Sequence, residues 1–255
     1  MTGRRDFLKL TGALGAGLVL GLRLDAKARS GAEFRPNAFL ALRPDGTVRI
    51  TVPKTEMGQG VRTSLPMVVA EELDLDWSRI EVVTAQPGPD FPSMGTGGST
   101  SVSGTWGPLR RAGATAREML KTAAAARWNL GVDQCRTENG FVLGPGGKKV
   151  GYGDLVEAAA KLPLPKDPPL KNPADYRRLG QRAPRVDGPA IVTGKAVYGL
   201  DVRRPGQRFA AVLRCPVPGG QPLAWDEGKA KALRGVQAVV KVPTGLAVIA
   251  DSTWA

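Results

Sequence analysis

Five prolines, Pro163, Pro165, Pro168, Pro169 and Pro173, fall within eleven residues. Proline fixes φ and lacks an N–H, so no helix interior or central strand survives such a density. The segment therefore reads as an extended connection, residues 163–180, between a first domain over residues 34–162 and a second over residues 181–255. A length of 255 residues accommodates both. The 33 glycines and 21 prolines argue for many turns and against a mostly helical bundle. Apolar residues at 42% and charged residues at 23% are ordinary globular values, and disorder is not expected.

Local patterns on each side of the prolines predict an α+β fold. Phe39–Leu42, a turn at Pro44-Asp45-Gly46 and Val48–Val52 read as a β-hairpin. After the loop Glu56–Gly60, Thr63–Leu73 has helical apolar spacing, and Ile80–Ala85 is a short β-rich run. Residues 86–107 form a long loop of Gly, Ser and Thr, a length that calls for a function. Pro108–Leu130 reads as a long surface helix, with Arg110, Arg111, Arg117, Lys121 and Arg127 on its wet side. Asn139-Gly140 marks a small hairpin, and Tyr152–Leu162 a short helix. Beyond the prolines, Ala196–Tyr198, Phe209–Leu213, Val236–Val242 and Leu246–Ala250 read as strands and Glu227–Leu233 as a short helix. The chain stops directly after a strand, without a polar tail, and reads as the N-terminal piece of a longer protein.

Charge and composition narrow the chemistry. A net charge of +13 favours an anionic ligand or partner. With 5% aromatic residues and no zinc-finger or RNA-recognition spacing, nucleic acid is not the expected partner. The chain has no His and two cysteines, so catalytic triads and ordinary zinc sites are out of reach, and any metal has to arrive on a cofactor. Cys135 and Cys215 are expected to be unpaired thiols. At the N-terminus, Arg4-Arg5, an uncharged Gly-interrupted stretch from Leu10 to Leu22, and Ala26-Lys27-Ala28 resemble a twin-arginine export leader over residues 1–28. The apolar stretch is too short for a stable membrane span, and the expected location is the periplasm. Its removal takes away three net positive charges and leaves the chain basic.

Two loops carry the candidate site. Gly58-Gln59-Gly60, between a strand and a helix, offers close backbone approach, helix N-terminal N–H groups and one amide side chain. The second loop, Gly95-Thr96-Gly97-Gly98-Ser99-Thr100-Ser101-Val102-Ser103-Gly104, concentrates N–H and O–H donors ahead of another helix. No Walker lysine follows either loop, so triphosphate hydrolysis is not indicated. A dinucleotide or pterin-like ligand, bracketed by both loops, suits the pair better. A non-catalytic exported module that holds a nucleotide or another polyanion is the alternative reading.

Glu-Met-Gly-Gln-Gly-Val at 56–61, the loop at 95–104 and Val-Thr-Gly-Lys-Ala-Val-Tyr-Gly-Leu-Asp-Val at 192–202 resemble the molybdenum-binding subunit of the xanthine dehydrogenase family. Within it, the resemblance is to the branch of isoquinoline 1-oxidoreductase beta chains and periplasmic aldehyde dehydrogenases. It implies that Gly58, Gln59, Gly60, Gly97, Gly98, Ser99, Thr100, Ser101 and Ser103 bind molybdopterin cytosine dinucleotide, and that residues 181–255 are the start of a small a/b hammerhead domain. It further implies oxidation of a small N-heteroaromatic or aldehyde substrate with water-derived oxygen, and an iron–sulfur small subunit with [2Fe–2S] clusters as electron partner. A cytochrome c is a further acceptor compatible with that branch. The cofactor's own sulfurs hold the metal, so no protein ligand is expected. The family's glutamate base lies in a later segment, so no residue here is assigned a catalytic role, and this piece alone is expected to bind the cofactor poorly and to lack turnover.

Overall fold

The computed structural model describes residues 33–255, and the expected leader, residues 1–28, lies outside them. The chain divides into two compact units, the first ending at Gly194 and the second running from Lys195 to Ala255. Both mix helix and strand, the α+β class expected from the sequence.

In the first unit, β1 (Phe34–Asn37), β2 (Leu40–Leu42), β3 (Val48–Val52) and β4 (Ile80–Thr84) form one sheet in that order. β2 and β3 make the expected antiparallel hairpin, with Leu40 opposite Ile50. β4 instead runs parallel to β3, with Val48 opposite Ile80 and Val52 opposite Thr84. Helix α1 (Val61–Glu72) makes the crossover between them. Alternate residues of β3, Val48, Ile50 and Val52, are buried, as one covered face requires. On the other face Arg49 pairs with Glu81, its register partner on β4.

Helix α2 (Ser103–Trp128) packs against α1 and differs most from its expected form. It begins at Ser103, so Pro108 lies inside it, and it is a core helix, not a surface one. Leu109, Ala112, Ala116, Leu120, Ala123 and Ala124 are buried. Small residues let the two axes approach closely. A Cβ at Gly113 would lie 2.8 Å from the Glu72 Cβ and 2.9 Å from the Val69 carbonyl oxygen. Gly113→Ala is therefore expected to destabilise the unit by about 1–3 kcal/mol despite alanine's higher helix propensity. Urea denaturation checks this, and a stabilised variant would show that the helices do not meet so tightly.

Beyond α2, β5 (Arg136–Glu138), β6 (Phe141–Leu143) and β7 (Lys149–Gly151) form a small antiparallel sheet. Asn139 and Gly140 both have positive φ, as a two-residue hairpin turn of the primed type needs. The helical stretch expected over Tyr152–Leu162 is a 3₁₀ turn followed by α3 (Val156–Ala160). Tyr152 is buried and its hydroxyl donates to the Leu73 carbonyl at 2.7 Å.

The proline-rich segment does not separate the units but is strapped to the first one. Glu71 and Glu72, at the end of α1, are buried. Glu71 accepts from Lys171 Nζ at 2.9 Å and from three successive backbone N–H groups, those of Arg177, Arg178 and Leu179, at 3.1, 2.6 and 3.0 Å. Glu72 pairs with Arg110 at 2.6 Å and Arg117 at 3.1 Å, and accepts from the Lys171 N–H at 3.0 Å. Arg117 also donates to the Pro169 carbonyl. Thus Arg110 and Arg117, expected on the wet side of α2, turn inward to a buried carboxylate that needs cations. The extended backbone that proline enforces leaves its N–H and C=O groups free for this lacing. The strap continues through α4 (Gly188–Val192) to the division after Gly194.

In the second unit, β8 (Phe209–Arg214), β9 (Val236–Val242) and β10 (Gly245–Ala250) form an antiparallel sheet with β10 in the centre, and α5 (Gly228–Lys231) is a single turn. Ala196–Tyr198, expected as a strand, is not one. A 3₁₀ turn at Gly199–Asp201 follows it, and the Asp201 carboxylate takes the Tyr198 N–H that a ladder would use. Cys135 and Cys215 are free thiols. Among the described residues no helix is long and apolar enough to cross a membrane.

Candidate functional site

Because β3 and β4 are parallel neighbours, the loops that follow them leave from the same end of the sheet. The Gln59 loop follows β3, and the long Gly/Ser loop follows β4. Carboxyl ends of parallel strands are where open α/β sheets place their ligands. The Ala85 N–H donates to the Val52 carbonyl at 2.9 Å, so the strands stay paired to the point where the loops begin. From there two hydrogen bonds tie one loop to the other. Lys54 Nζ donates to the Gly95 carbonyl at 3.0 Å, and Thr96 Oγ1 to the Thr55 carbonyl at 3.2 Å. The two donor-rich loops singled out in the sequence are adjacent.

Their donors are in different states. In the first loop, Gly58 and Gly60 have φ of 112° and 83°, a region that favours glycine. Of the N–H groups expected to be open at the start of α1, those of Gly58, Gly60 and Arg62 are already bonded. Glu56 Oε1 accepts from the N–H of Gly58 and of Gly60, both at 2.9 Å, and Oε2 from that of Arg62 at 3.0 Å. Burial pushes the Glu56 carboxyl up, but the N–H groups of Arg62, Gly60 and Gly58 and the nearby Arg185 cation hold it below the ordinary glutamate value. Gln59 folds over the same loop, accepting from the Met57 N–H at 2.7 Å and donating to the Thr55 carbonyl at 2.9 Å. Its second amide hydrogen and a lone pair remain for a ligand.

The second loop is open. Gly97, Gly98, Ser99, Thr100 and Ser103 are exposed and Ser101 is buried. Gly98 and Ser99 have φ of 58° and 55°. Thr100 closes a turn on the Gly97 carbonyl through its hydroxyl at 3.0 Å, and Thr105 at the start of α2 caps the Ser101 carbonyl at 2.6 Å. Among the described residues, the hydroxyls of Ser99, Ser101 and Ser103 and the N–H groups of Gly98, Ser99, Ser101 and Ser103 make no hydrogen bond. No carboxylate lies between Gly95 and Gly104. This donor set fits the phosphate oxygens of a dinucleotide cofactor. Two surface hollows, of about 550 and 410 Å³, are lined by none of these residues. Among the described residues no group of three or more His, Cys, Asp or Glu could hold a metal ion.

Residues 12–200 match the model of the molybdopterin cofactor-binding domain. The chain belongs to that family. The match is to the molybdenum-binding subunits of the xanthine dehydrogenase type. The beta chain of isoquinoline 1-oxidoreductase from Brevundimonas diminuta is 34% identical over 99% of this chain and 38% of its own length. A membrane-bound aldehyde dehydrogenase of Gluconacetobacter polyoxogenes is 31% identical over 91% of this chain and 32% of its own. A nicotinate dehydrogenase polypeptide of Pseudomonas putida is 35% identical over 84% of this chain and 19% of its own. The chain thus spans well under half the length of these curated relatives. Among solved structures, quinoline 2-oxidoreductase from Pseudomonas putida 86 aligns with a TM-score of 0.41 and 24% identity, covering 47% of this chain and 15% of that one.

Sequence reasoning found both loops but missed what holds them: Lys54, Thr55, Glu56, Thr96 and Arg185. Two signals were available. A strand–helix–strand order implies parallel strands with loops at one end, and an acidic residue just ahead of a helix is a ready partner for its N–H groups.

Proposed function

We propose that the two loops bind molybdopterin cytosine dinucleotide in a periplasmic molybdenum hydroxylase that oxidises an N-heteroaromatic or aldehyde substrate with water-derived oxygen. The observation that carries this reading is the pairing of the loops at the carboxyl ends of β3 and β4 through Lys54–Gly95 and Thr96–Thr55. When bound, the cofactor supplies the two-electron oxidation chemistry that the chain's own side chains lack. Ser99, Ser101 and Ser103, with the N–H groups of Gly97 and Gly98 beside them and Thr100 shaping the turn, hold the phosphates. Gln59, between Gly58 and Gly60, offers its remaining amide hydrogen to the pterin end. The chain contributes no catalytic base in this reading. An iron–sulfur small subunit, with a cytochrome c beyond it, takes the electrons. Export proceeds through the twin-arginine leader, and the second unit is the start of the a/b hammerhead domain. The resemblance of the motifs and the names of the relatives support these assignments.

The test is chemical. The polypeptide made from its own gene, in a cell with the pterin pathway intact, is expected to carry near-stoichiometric molybdenum and to release cytosine nucleotide on acid treatment. Replacing Ser99, Ser101 and Ser103 together by alanine is expected to lower both about tenfold or more, since each lost bond to a charged phosphate matters strongly. Wild-type protein containing neither molybdenum nor cytosine nucleotide would refute the reading.

A further inference from the structure

The strap that crosses the Gln59 loop gives that loop a shape of its own. Arg185 Nη1 donates to the Gly58 carbonyl at 3.2 Å, its Nη2 lies 3.3 Å from Glu56 Oε1, and its Nε pairs with Asp187 at 2.9 Å. One residue on, the Val186 N–H donates to Thr63 Oγ1 on α1 at 3.0 Å. Glu56 is largely withdrawn from solvent, with 13% of its side chain exposed, and gathers three loop N–H groups and this cation. A carboxylate that accepts several N–H bonds in a part-buried place fixes the backbone supplying them. It also fills, with the chain's own charge, the place at the head of α1 that an external anion would otherwise take.

We propose that Glu56 and Arg185 are positioning residues for the cofactor: together they latch the Gln59 loop into one shape and close its N–H cluster, so that the phosphates are directed to the second loop alone. The proposal rests on the reading of these loops as the cofactor site. Neither residue touches the ligand in it. Gly58 and Gly60 supply the backbone conformation, Glu56 locks it, and Arg185 fastens the lock to the strap. Gln59 is left facing outward with part of its amide free.

Amide hydrogen exchange and cofactor content, measured on wild type, Glu56→Ala, Glu56→Gln, Arg185→Ala and Arg185→Lys, test this. In Glu56→Ala, exchange at Gly58, Gly60 and Arg62 is expected to accelerate about tenfold or more, with the amides of β3 and β4 unchanged. Molybdenum and cytosine nucleotide are expected to fall about tenfold while the melting transition stays cooperative. Glu56→Gln is expected to fall between, and Arg185→Lys to recover content that Arg185→Ala loses. Unchanged exchange in Glu56→Ala, or full cofactor content despite faster exchange, overturns the latch. Acceleration spread over the whole unit also overturns it, because that marks general destabilisation. If wild type itself contains no molybdenum or nucleotide, the cofactor reading fails first, and with it the role assigned to the latch. That outcome is distinguishable because it appears without any substitution.

Discussion

Glu72→Ala is expected to lower the stability of the first unit by about 3–5 kcal/mol, because it strands the inward-turned Arg110 without its anion and leaves Arg117 with Glu118 alone, at 3.2 Å. Glu72 accepts from Arg110 at 2.6 Å, from Arg117 at 3.1 Å and from the Lys171 N–H at 3.0 Å, and its side chain is 1% exposed. Arg117 cannot swing out to water, since it also donates to the Glu72 carbonyl at 2.6 Å and to the Pro169 carbonyl. Arg110 is held likewise, donating to the Lys171 carbonyl at 2.6 Å and lying over the rings of Trp106 and Tyr176. Exposed ion pairs contribute about 1 kcal/mol or less, whereas breaking a buried pair leaves an uncompensated charge, and it is the second case that applies. Against a total of about 5–15 kcal/mol for an ordinary domain, such a loss leaves little margin. Glu72→Gln keeps the shape and one acceptor and is expected to lose less. Equilibrium urea denaturation followed by tryptophan fluorescence measures both. A loss for Glu72→Ala near that of a surface pair would show that the network is solvated and that the strap is held by something else.

The same network explains which parts of the fold could be read from residues alone. The β2–β3 hairpin, α1, β4 and the Asn139-Gly140 hairpin follow from period and turn chemistry, and those signals are local. The wet side assigned to α2 failed because charge was taken as exposure. Arginine is mostly exposed, and only knowledge of a buried carboxylate one helix away turns Arg110 and Arg117 inward. The proline-rich segment failed as a connection for the same reason. Its prolines do enforce extended backbone, but extended backbone presents N–H and C=O groups, and Glu71, Glu72, Arg110 and Arg117 take them up. The partners lie about a hundred residues away in sequence, as from Glu71 to Arg177. Ala196–Tyr198 failed more simply, because three apolar residues do not make a strand without a neighbour to pair with.

The candidate site was more legible than the packing beneath it. Glycine and serine clusters between strands and helices mark backbone that can approach a ligand, and both loops were visible as such. That they lie side by side was expected from their like donors alone, although the strand–helix–strand order also implied it. The difference between them was hidden. Gly58, Gly60 and Arg62 look as open in the sequence as Ser99 and Ser101, and only the position of the Glu56 carboxylate shows that one set of donors is taken and the other is not. Composition cannot say where a nearby carboxylate points.

Acid is expected to loosen the strap, and Glu71→Gln to remove much of that sensitivity. Burial pushes the Glu71 carboxyl up, but Lys171 and the N–H groups of Arg178, Leu179 and Arg177 outweigh it and hold the group below the ordinary value of 4.5. A carboxylate with a lowered folded pKa stabilises the fold fully above its unfolded pKa, and that stabilisation is lost as pH falls through the folded value. The contribution of Glu71 is therefore complete at neutral pH, begins to decline near pH 4.5 and is gone below its lowered folded pKa. Glu71→Gln is expected to cost about 1–3 kcal/mol at neutral pH, since it weakens charge-assisted bonds and leaves the part-buried Lys171 cation with Asp74, at 2.5 Å, as its remaining anion. Below the folded pKa wild-type Glu71 is itself neutral, so the two stability curves are expected to converge there. Other lowered carboxyls, Glu56 and Asp187 among them, titrate in the same direction but are common to both proteins, so the difference between the curves isolates Glu71. Urea denaturation of the two proteins from neutral pH down into the acid range gives that difference directly. Curves that stay parallel would mean that Glu71 has the same proton affinity folded and unfolded, and that the three N–H groups gathered on it do not hold the strap.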